Sequence, residues 1–360
     1  MPRLHRPLLP AFIAASLLWL SACGGPPPPP PTPEGMLKLG YEQLEKKQYD
    51  QAEASFAQAR QGGLTLKANL GLLQTKEARG AINDALALSD ELLRSATTAE
   101  NTVTYLIEAV RLRNAHSNTS SDAVTQSWQQ VGKMLTPNQS LDIALVFERS
   151  ALLNDAKTAY VRALADPLLI GQVQRHLPWV SQLTGTTLHP FTQGLLAQPG
   201  GVSVGQWLTL LTEQWQLRVR LPVRPPIQDI DPAFKKVLDA YPTHEAVGFA
   251  LSQRITGAEL GPNDAMVLDA PLTRRAWAEG LIDLYSRFDA TEAHRGETQA
   301  WAVDIAPGTP WTQPILHAMH LELVRAKDPA RHTFQPDDEV LPIEAIGSLV
   351  RLNQLLSLSE

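Results

Sequence analysis

Small and large apolar residues follow one helical spacing in two widely separated segments of the chain. They are Gly40, Ala52, Phe56 and Ala59 in the first segment, and Ala144, Phe147, Ala156, Tyr160 and Ala163 in the second. Small side chains let two antiparallel helices approach closely, and a large ring then fills the groove between them. The separation of Ala52 from Ala156 is 104 residues, close to three periods of about 34. The pattern therefore predicts a row of helical hairpins.

In order and spacing these residues resemble the tetratricopeptide repeat (TPR), a pair of antiparallel helices that stacks on the next pair. Two further pairs, 64–78 with 81–94 and 102–114 with 123–134, keep helical spacing but have lost most signature residues. The predicted array has four hairpins and covers residues 36–166. The resemblance implies a concave face, lined by the first helix of each pair, that binds a peptide or protein. The alternative is a helical array without such a groove.

Beyond Asp166 the chain contains more proline and tryptophan and repeats a longer pattern. Trp207 and Trp277 are 70 residues apart, and 68 residues separate Trp277 from the matching Ala345. In the last two copies an extended or turn-rich opening leads to a helix, a turn and a second helix, and the first copy is recognised by its second helix. The predicted second helices end at Gln214, Arg287 and about Leu356, and the first helices of the last two copies span 245–253 and 315–326.

This layout resembles the S-layer homology (SLH) module, which has a Phe-x-Asp-Val opening, a helix, a Phe-x-Pro turn, and a second helix beginning Thr-Arg-Ala-Glu-Phe. The last copy keeps the opening as Val303-Asp304-Ile305 and the turn as Phe334-Gln335-Pro336. In the middle copy the matching segments are 227–230 and 261–264.

The copies cover 168–217, 227–288 and 303–357, all within residues 168–360. Three such modules imply a three-fold helical prism that holds cell-wall polymer. The predicted fold class is therefore mostly α: an N-terminal TPR-like α-hairpin array followed by an SLH-like three-module helical bundle.

The start of each second helix keeps part of a capping box, in which a hydroxyl and a side chain three residues later satisfy free backbone amides. Ser203 with Gln206 is a complete box. Thr273 keeps the cap although Ala276 replaces the glutamate, and the last copy retains Glu344 without the hydroxyl residue.

The arginine of the SLH motif is present once, as Arg274, while the other copies have Val204 and Pro342. The resemblance implies that its guanidinium binds a carboxylate of the wall polymer, such as a pyruvyl group, by paired hydrogen bonds. Thr273 and Trp277 would then belong to the same polymer-binding site. The alternative is that Arg274 is a solvated residue of the first helical turn.

The amino-terminal segment has a short basic stretch and an apolar run, 8–20, that is too short for a permanent membrane span. Leu20-Ser21-Ala22-Cys23 follows and resembles a bacterial lipobox. The resemblance implies a signal peptide over 1–22, acylation of Cys23, and an outer-membrane lipoprotein that faces the periplasm or the cell surface. A lone buried cysteine after an uncleaved helix is the alternative. Residues 23–35 form a proline-rich tether that holds the body roughly 25 Å from the membrane.

Composition and missing motifs exclude several classes of function. The net charge of −6 comes without any basic run, so nucleic acid is not an expected partner. No nucleotide-binding glycine loop or nucleophile elbow is present, and the single cysteine is used by the lipid. We predict no catalytic residue, no cofactor and no metal.

Two groups of side chains invite a metal interpretation. His317 and His320 share a helix face, but Glu322 points elsewhere, so packing or surface exposure explains them better. The acidic turn 337–339 lacks the alternating spacing of a calcium loop.

The expected function is that of a membrane-anchored envelope adaptor that is not an enzyme. It would bind a protein partner through the TPR-like groove and peptidoglycan or a secondary cell-wall polymer through the SLH-like region. One alternative is a component of a secretion, pilus or surface-layer assembly in which both regions bind protein and wall binding is lost. A wall hydrolase or its activator is a second alternative, and no paired carboxylates support it.

Overall fold

The computed structural model describes residues 32–116, 118–221, 232–254, 268–288, 302–328 and 331–357. In these ranges it contains seventeen α-helices and two short 3-10 turns, and the extended pairings are isolated β-bridges. The predicted mostly α fold class is therefore confirmed for this part of the chain. Cys23, the proline run up to Pro31, and the middle copy's segments 227–230 and 261–264 lie outside the described residues.

Eight helices occupy the region predicted to be a row of hairpins. They are α1 (Pro33–Glu45), α2 (Tyr49–Gln61), α3 (Thr65–Ala78), α4 (Ile82–Ser95), α5 (Ala99–Ala115), α6 (Asp122–Val131), α7 (Pro137–Arg149) and α8 (Leu153–Ala163). Each predicted helix is present. Hydroxyl side chains cap four of the helix starts by accepting a backbone N–H of the first turn: Thr32, Thr98, Ser121 and Thr136.

Nine helices follow a 3-10 turn at Pro167–Leu169. They are α9 (Ile170–Leu183), α10 (Pro190–Leu196), α11 (Val204–Glu213), α12 (Leu217–Arg220), α13 (Pro232–Ala240), α14 (His244–Ser252), α15 (Arg274–Phe288), α16 (Thr312–His320) and α17 (Pro342–Ser357). The second helices predicted for the three copies correspond to α11, α15 and α17, and the first helix predicted for the middle copy corresponds to α14.

The helix predicted over 315–326 is wrong in its second half, because α16 ends at His320. Glu322 adopts a left-handed backbone conformation with φ 57°. The amides of Leu323 and Val324 both donate to the Ala318 carbonyl, at 2.9 and 3.2 Å. This turn buries both aliphatic side chains, which a continued helix would have carried away from the core.

The chain divides into two compact units, residues 1–81 and residues 82–360. The first contains α1 to α3 and the second contains α4 to α17. The boundary predicted at residue 167, between the array and the three-copy region, lies inside the second unit.

In the first unit, Phe56 of α2 is fully buried between two glycines of the neighbouring helices. A Cβ atom placed on Gly40 of α1 would lie 2.7 Å from the Phe56 ring, and one placed on Gly71 of α3 would lie 2.4 Å from it. Tyr41 meets the same ring edge-on, with centroids 5.0 Å apart. The small–large–small pattern thus acts as the sequence predicts, by letting backbones approach one aromatic ring.

In the second unit, α5 packs against α4, α6 and α7, and α7 pairs with α8. A buried polar network joins α4, α5 and α6. Arg113 of α5 donates to the Asp90 carboxylate at 2.7 Å and to the Ser89 hydroxyl at 3.1 Å, both on α4. Ser121, the cap of α6, donates to the same oxygen of Asp90 at 2.7 Å. Since every member is paired, the network fixes these helices without leaving a buried charge uncompensated.

The three-copy region closes on itself in a cyclic order. The first helix of the middle copy, α14, packs on α11, and the first helix of the last copy, α16, packs on α15. The order is completed by α9, the first helix of the region, which packs on α17 at the end of the last copy. Each copy therefore buries its first helix against the second helix of another copy.

A ring of three backbone hydrogen bonds joins the segments that precede α11, α15 and α17. Val202 N–H donates to Val340 O at 2.8 Å, Val340 N–H donates to Leu272 O at 3.1 Å, and Leu272 N–H donates to Val202 O at 2.8 Å. All three side chains are buried. The three helix starts that the sequence aligns are thus held at one point by equivalent bonds.

Candidate functional site

The helix starts at this ring carry the residues predicted to bind polymer, and the predicted caps are formed. Thr273 Oγ1 accepts the Ala276 N–H at 3.2 Å. Ser203 and Gln206 make both bonds of the capping box, at 3.2 and 2.9 Å. Glu344 makes its half of the box by accepting the Leu341 N–H at 2.9 Å. Thr273 is half-buried. Its hydroxyl is used to cap the start of α15.

Arg274 is fully buried, and each nitrogen of its guanidinium donates to the protein. Nε donates to Phe334 O at 2.8 Å, Nη1 to Glu344 Oε1 at 2.6 Å, and Nη2 to Arg325 O. The ring of Phe334 lies 4.8 Å and that of Trp277 5.5 Å from the guanidinium carbon. Burial lowers the pKa of Arg274, and Glu344 partly opposes that effect.

The carboxylate of Glu344 is shared between two cations and a backbone amide. Besides Arg274 and the Leu341 amide, Arg175 of α9 lies 3.4 Å away. Burial alone would raise the pKa of Glu344, but Arg274 and Arg175 outweigh it, so the pKa is lowered. The buried pair is therefore ionised and satisfied on both sides.

Both interpretations of Arg274 need correction. Its guanidinium is not presented to an external carboxylate, and it is not a solvated residue of the first turn, because Glu344 and two carbonyls take its donors. Trp277 is also fully buried, donates through Nε1 to the Ser348 hydroxyl at 3.2 Å, and meets Trp179 edge-on at 6.5 Å. Thr273, Arg274 and Trp277 do lie together, but they form the internal joint of α15 with α9 and α17.

Asp304 explains what the opening motif of the last copy does. Its carboxylate accepts the backbone N–H of Phe334 at 2.8 Å and that of Gln335 at 2.6 Å. The opening and the Phe-x-Pro turn, 30 residues apart in sequence, are therefore joined by two charge-assisted bonds.

Replacing Asp304 with alanine is expected to lower the free energy of unfolding by about 1–3 kcal/mol, because two part-buried amides lose their acceptor. Urea denaturation measures this change. Asp337→Ala is the matched control, since Asp337 is an exposed carboxylate in the same turn, and a change within about 0.5 kcal/mol is expected there. Equal effects of the two substitutions would contradict this role of Asp304.

The histidines considered for metal binding do not converge with a third ligand. His317 meets the ring of Tyr285 edge-on, with centroids 6.1 Å apart. Glu322 lies 3.7 Å from Arg325 and 3.9 Å from Arg351 instead. In the part of the chain that the structure describes, no group of three metal-ligating side chains comes together.

A shallow open cleft, with an enclosed volume of only about 10 Å³, lies between α5 and α7, the first helices of the third and fourth predicted hairpins. Its lining is Leu106, Ile107, Val110, Leu135, Gln139, Asp142 and Ile143. Partial burial raises the pKa of Asp142. Among the described residues no cation pairs with this carboxylate. The cleft therefore combines an apolar floor with one unneutralised negative charge at its edge.

Sequence reasoning missed a buried polar cluster where α7, α8 and α9 meet. Glu148 Oε2 accepts the Tyr160 hydroxyl at 2.7 Å, and His176 Nδ1 lies 3.1 and 3.0 Å from the two Glu148 oxygens. The His176 ring stacks on Tyr160 with centroids 5.6 Å apart. Glu148 is four residues from Ala144 and therefore shares the inward face of α7. A carboxylate on a buried helix face is the sequence signal that could have indicated this cluster.

Comparison with known proteins adds no relative. No protein-family model matches the chain, and neither curated proteins nor solved structures give a match. Within the ranges described, no helix has the length and apolar character needed to cross a bilayer.

Proposed function

We propose that the chain is a membrane-anchored adaptor of the cell envelope that binds a protein partner through the cleft between α5 and α7. Cys23 is its lipid attachment site in this proposal, and the outer membrane its location. The observation that carries the proposal is the cleft itself, because an apolar floor beside an unpaired carboxylate suits a peptide segment. Its position on the first-helix side agrees with the TPR resemblance.

In this proposal the three-copy region also binds protein. Since Arg274, Thr273 and Trp277 are all used inside the protein, the variant in which this region binds protein rather than wall polymer has the better support. The second candidate function, retention of wall polymer, is favoured by the cyclic order of the three copies and the ring of equivalent bonds. Such binding would need residues other than these three.

Site-specific photo-crosslinking in the native organism tests the first proposal. A benzophenone amino acid at Ile107 or Leu135, both half-buried in the cleft, is expected to give a discrete adduct with another protein. The same probe at Lys157, on the exposed side of α8, is the control and is expected to give none. Identical adducts from all three positions, or no adduct from the cleft, would contradict the proposal.

Co-sedimentation of the chain from residue 24 with purified sacculi tests the second. Binding that disappears after attached polysaccharide is stripped would support a polymer ligand. Absence of binding to either preparation would remove the wall from the proposed partners.

A further inference from the structure

The cluster of Glu148, Tyr160 and His176 lies at the connection between the hairpin helices and the three-copy region. Helix α9 is held from two sides. On one side His176 reaches Glu148 and Tyr160, and on the other α9 packs against α17 at the closure of the cyclic order. A Cβ atom placed on Gly347 of α17 would lie 2.5 Å from the Trp179 ring, which shows how close α9 and α17 are.

Bonds on the α17 side are made by an arginine–carboxylate pair and an amide. Arg175 pairs with the ionised Glu344, and the amide of Gln182 donates to Gly347 O at 3.2 Å. Contacts on the α7–α8 side are different, because they converge on an imidazole. Histidine is the side chain whose charge changes between about pH 5 and 8.

The charged and titratable groups that face His176 come from every helix packed around it. They are Glu148 of α7, Tyr160 of α8, Arg175 of α9 and Glu344 of α17, with Arg149 of α7 near Tyr160. Burial alone would lower the pKa of His176, but the charge of Glu148 and its hydrogen bond outweigh burial, so the pKa is raised. The pKa of Tyr160 is raised well above its usual value, by burial and then by Glu148, so its hydroxyl stays protonated.

We propose that His176 is a proton-operated latch that fastens α9, and with it the three-copy region, to the α7–α8 hairpin. Protonated His176 is a cation held by both oxygens of a buried carboxylate. Neutral His176 no longer supplies the cation that contacts both oxygens, and Arg149 is then the neighbouring cation that acts on Glu148.

The direction of the pH effect follows from the raised pKa. A group bound more tightly to its proton in the folded state contributes its full stabilisation below the unfolded value, about 6.5 for histidine. The contribution is lost as the pH rises through the higher folded value. The attachment of α9 to the α7–α8 hairpin through His176 is therefore strongest in mildly acidic medium and weakens as the medium becomes alkaline.

Hydrogen exchange of the chain from residue 24, followed peptide by peptide and corrected for intrinsic rates, tests the latch. Protection of 170–183 is expected to fall relative to that of 204–213 as the pH rises above 6.5, about tenfold for each pH unit up to the folded pKa of His176. In His176→Gln this relative change should disappear. His244→Gln is the matched control, because His244 is exposed at the start of α14, and it should keep the wild-type response.

A second variant keeps the test decisive if His176→Gln fails to fold. Glu148→Gln removes the negative charge but keeps a hydrogen-bond acceptor, so the His176 resonance in an NMR titration should move to a lower pKa. A pH response of α9 that persists unchanged in His176→Gln would overturn the proposal. So would a His176 resonance that titrates identically in the wild type and in Glu148→Gln.

Discussion

Replacing Arg274 with alanine is expected to lower the free energy of unfolding of the second unit by about 3–5 kcal/mol, the usual cost of removing one member of a buried ion pair. Glu344 would keep Arg175, at 3.4 Å, as its ion-pair partner. Two carbonyls, those of Phe334 and Arg325, would lose their donor. Total stabilities of folded domains are about 5–15 kcal/mol, so this loss would be a large part of the total. Denaturation by urea measures it.

Arg275→Ala is the matched control for Arg274→Ala. The Arg275 guanidinium lies 5.9 Å from the Trp311 ring centroid, and its backbone amide bond to Pro336 O is unaffected by the substitution. A loss of about 0.5–1 kcal/mol is expected, as for a partly exposed cation–π contact. Similar losses for the two arginines would contradict the internal role of Arg274.

A double-mutant cycle separates the ion pair from the packing. Glu344→Gln keeps an acceptor for the Leu341 amide but leaves Arg274 without a counter-charge, so it should be strongly destabilising alone. Combined with Arg274→Met, it should cost less than the sum of the single changes, because the buried guanidinium and the buried carboxylate are removed together and only Arg175, which is partly exposed, loses its partner. Since the folded pKa of Glu344 is lowered, its contribution should persist above the unfolded carboxyl value near 4.3 and be lost at lower pH.

Replacing Phe56 with alanine is expected to destabilise the first unit by about 3–5 kcal/mol, because a buried ring is removed from between three helices that cannot fully collapse. The ring has no exposed surface and contacts glycines on both α1 and α3. Thermal unfolding monitored by circular dichroism measures the effect. A loss below 1 kcal/mol would contradict this packing.

The glycine opposite the ring provides a compensating test. Gly71→Ala alone should cost about 1–3 kcal/mol through overpacking, since its Cβ would lie 2.4 Å from Phe56. Gly63→Ala is not a usable control, because Gly63 has a positive φ of 99°. The double variant Phe56→Leu with Gly71→Ala should recover part of the loss, because the smaller side chain makes room for the methyl group.

Local patterns predicted the helices and their caps well. Thr273 and Ser203 act as caps because capping depends on residues three apart, which a sequence displays directly. Phe56 and Gly40 pack as the repeat pattern predicts for the same reason, since the spacing of small and large residues is itself the signal.

Long-range partners were not predictable in the same way. The guanidinium of Arg274 is neutralised by Glu344, 70 residues later in the chain. The capping pattern predicted that Glu344 bonds to the start of its own helix. One oxygen of Glu344 does so, while the other accepts from Arg274. The resemblance to the SLH motif led to the prediction that Arg274 faces outward. Its burial depends on the packing of the middle copy against the last copy, which the sequence does not display. The pairing of His176 with Glu148 across 28 residues was missed for the same reason.

The cyclic packing order also has a consequence for biosynthesis. Helix α9 emerges first from the ribosome among the elements of the three-copy region. It can pack on α8 at once, but the surface that covers its other side belongs to α17, the last of these elements to be made. The amide of Val202 likewise cannot form its hydrogen bond until Val340, which provides the acceptor carbonyl, has been synthesised. This region is therefore expected to stay without its final packing throughout its own translation. A chain cut before Pro342 would leave the α17-facing side of α9 uncovered, as a substrate for chaperones or proteases.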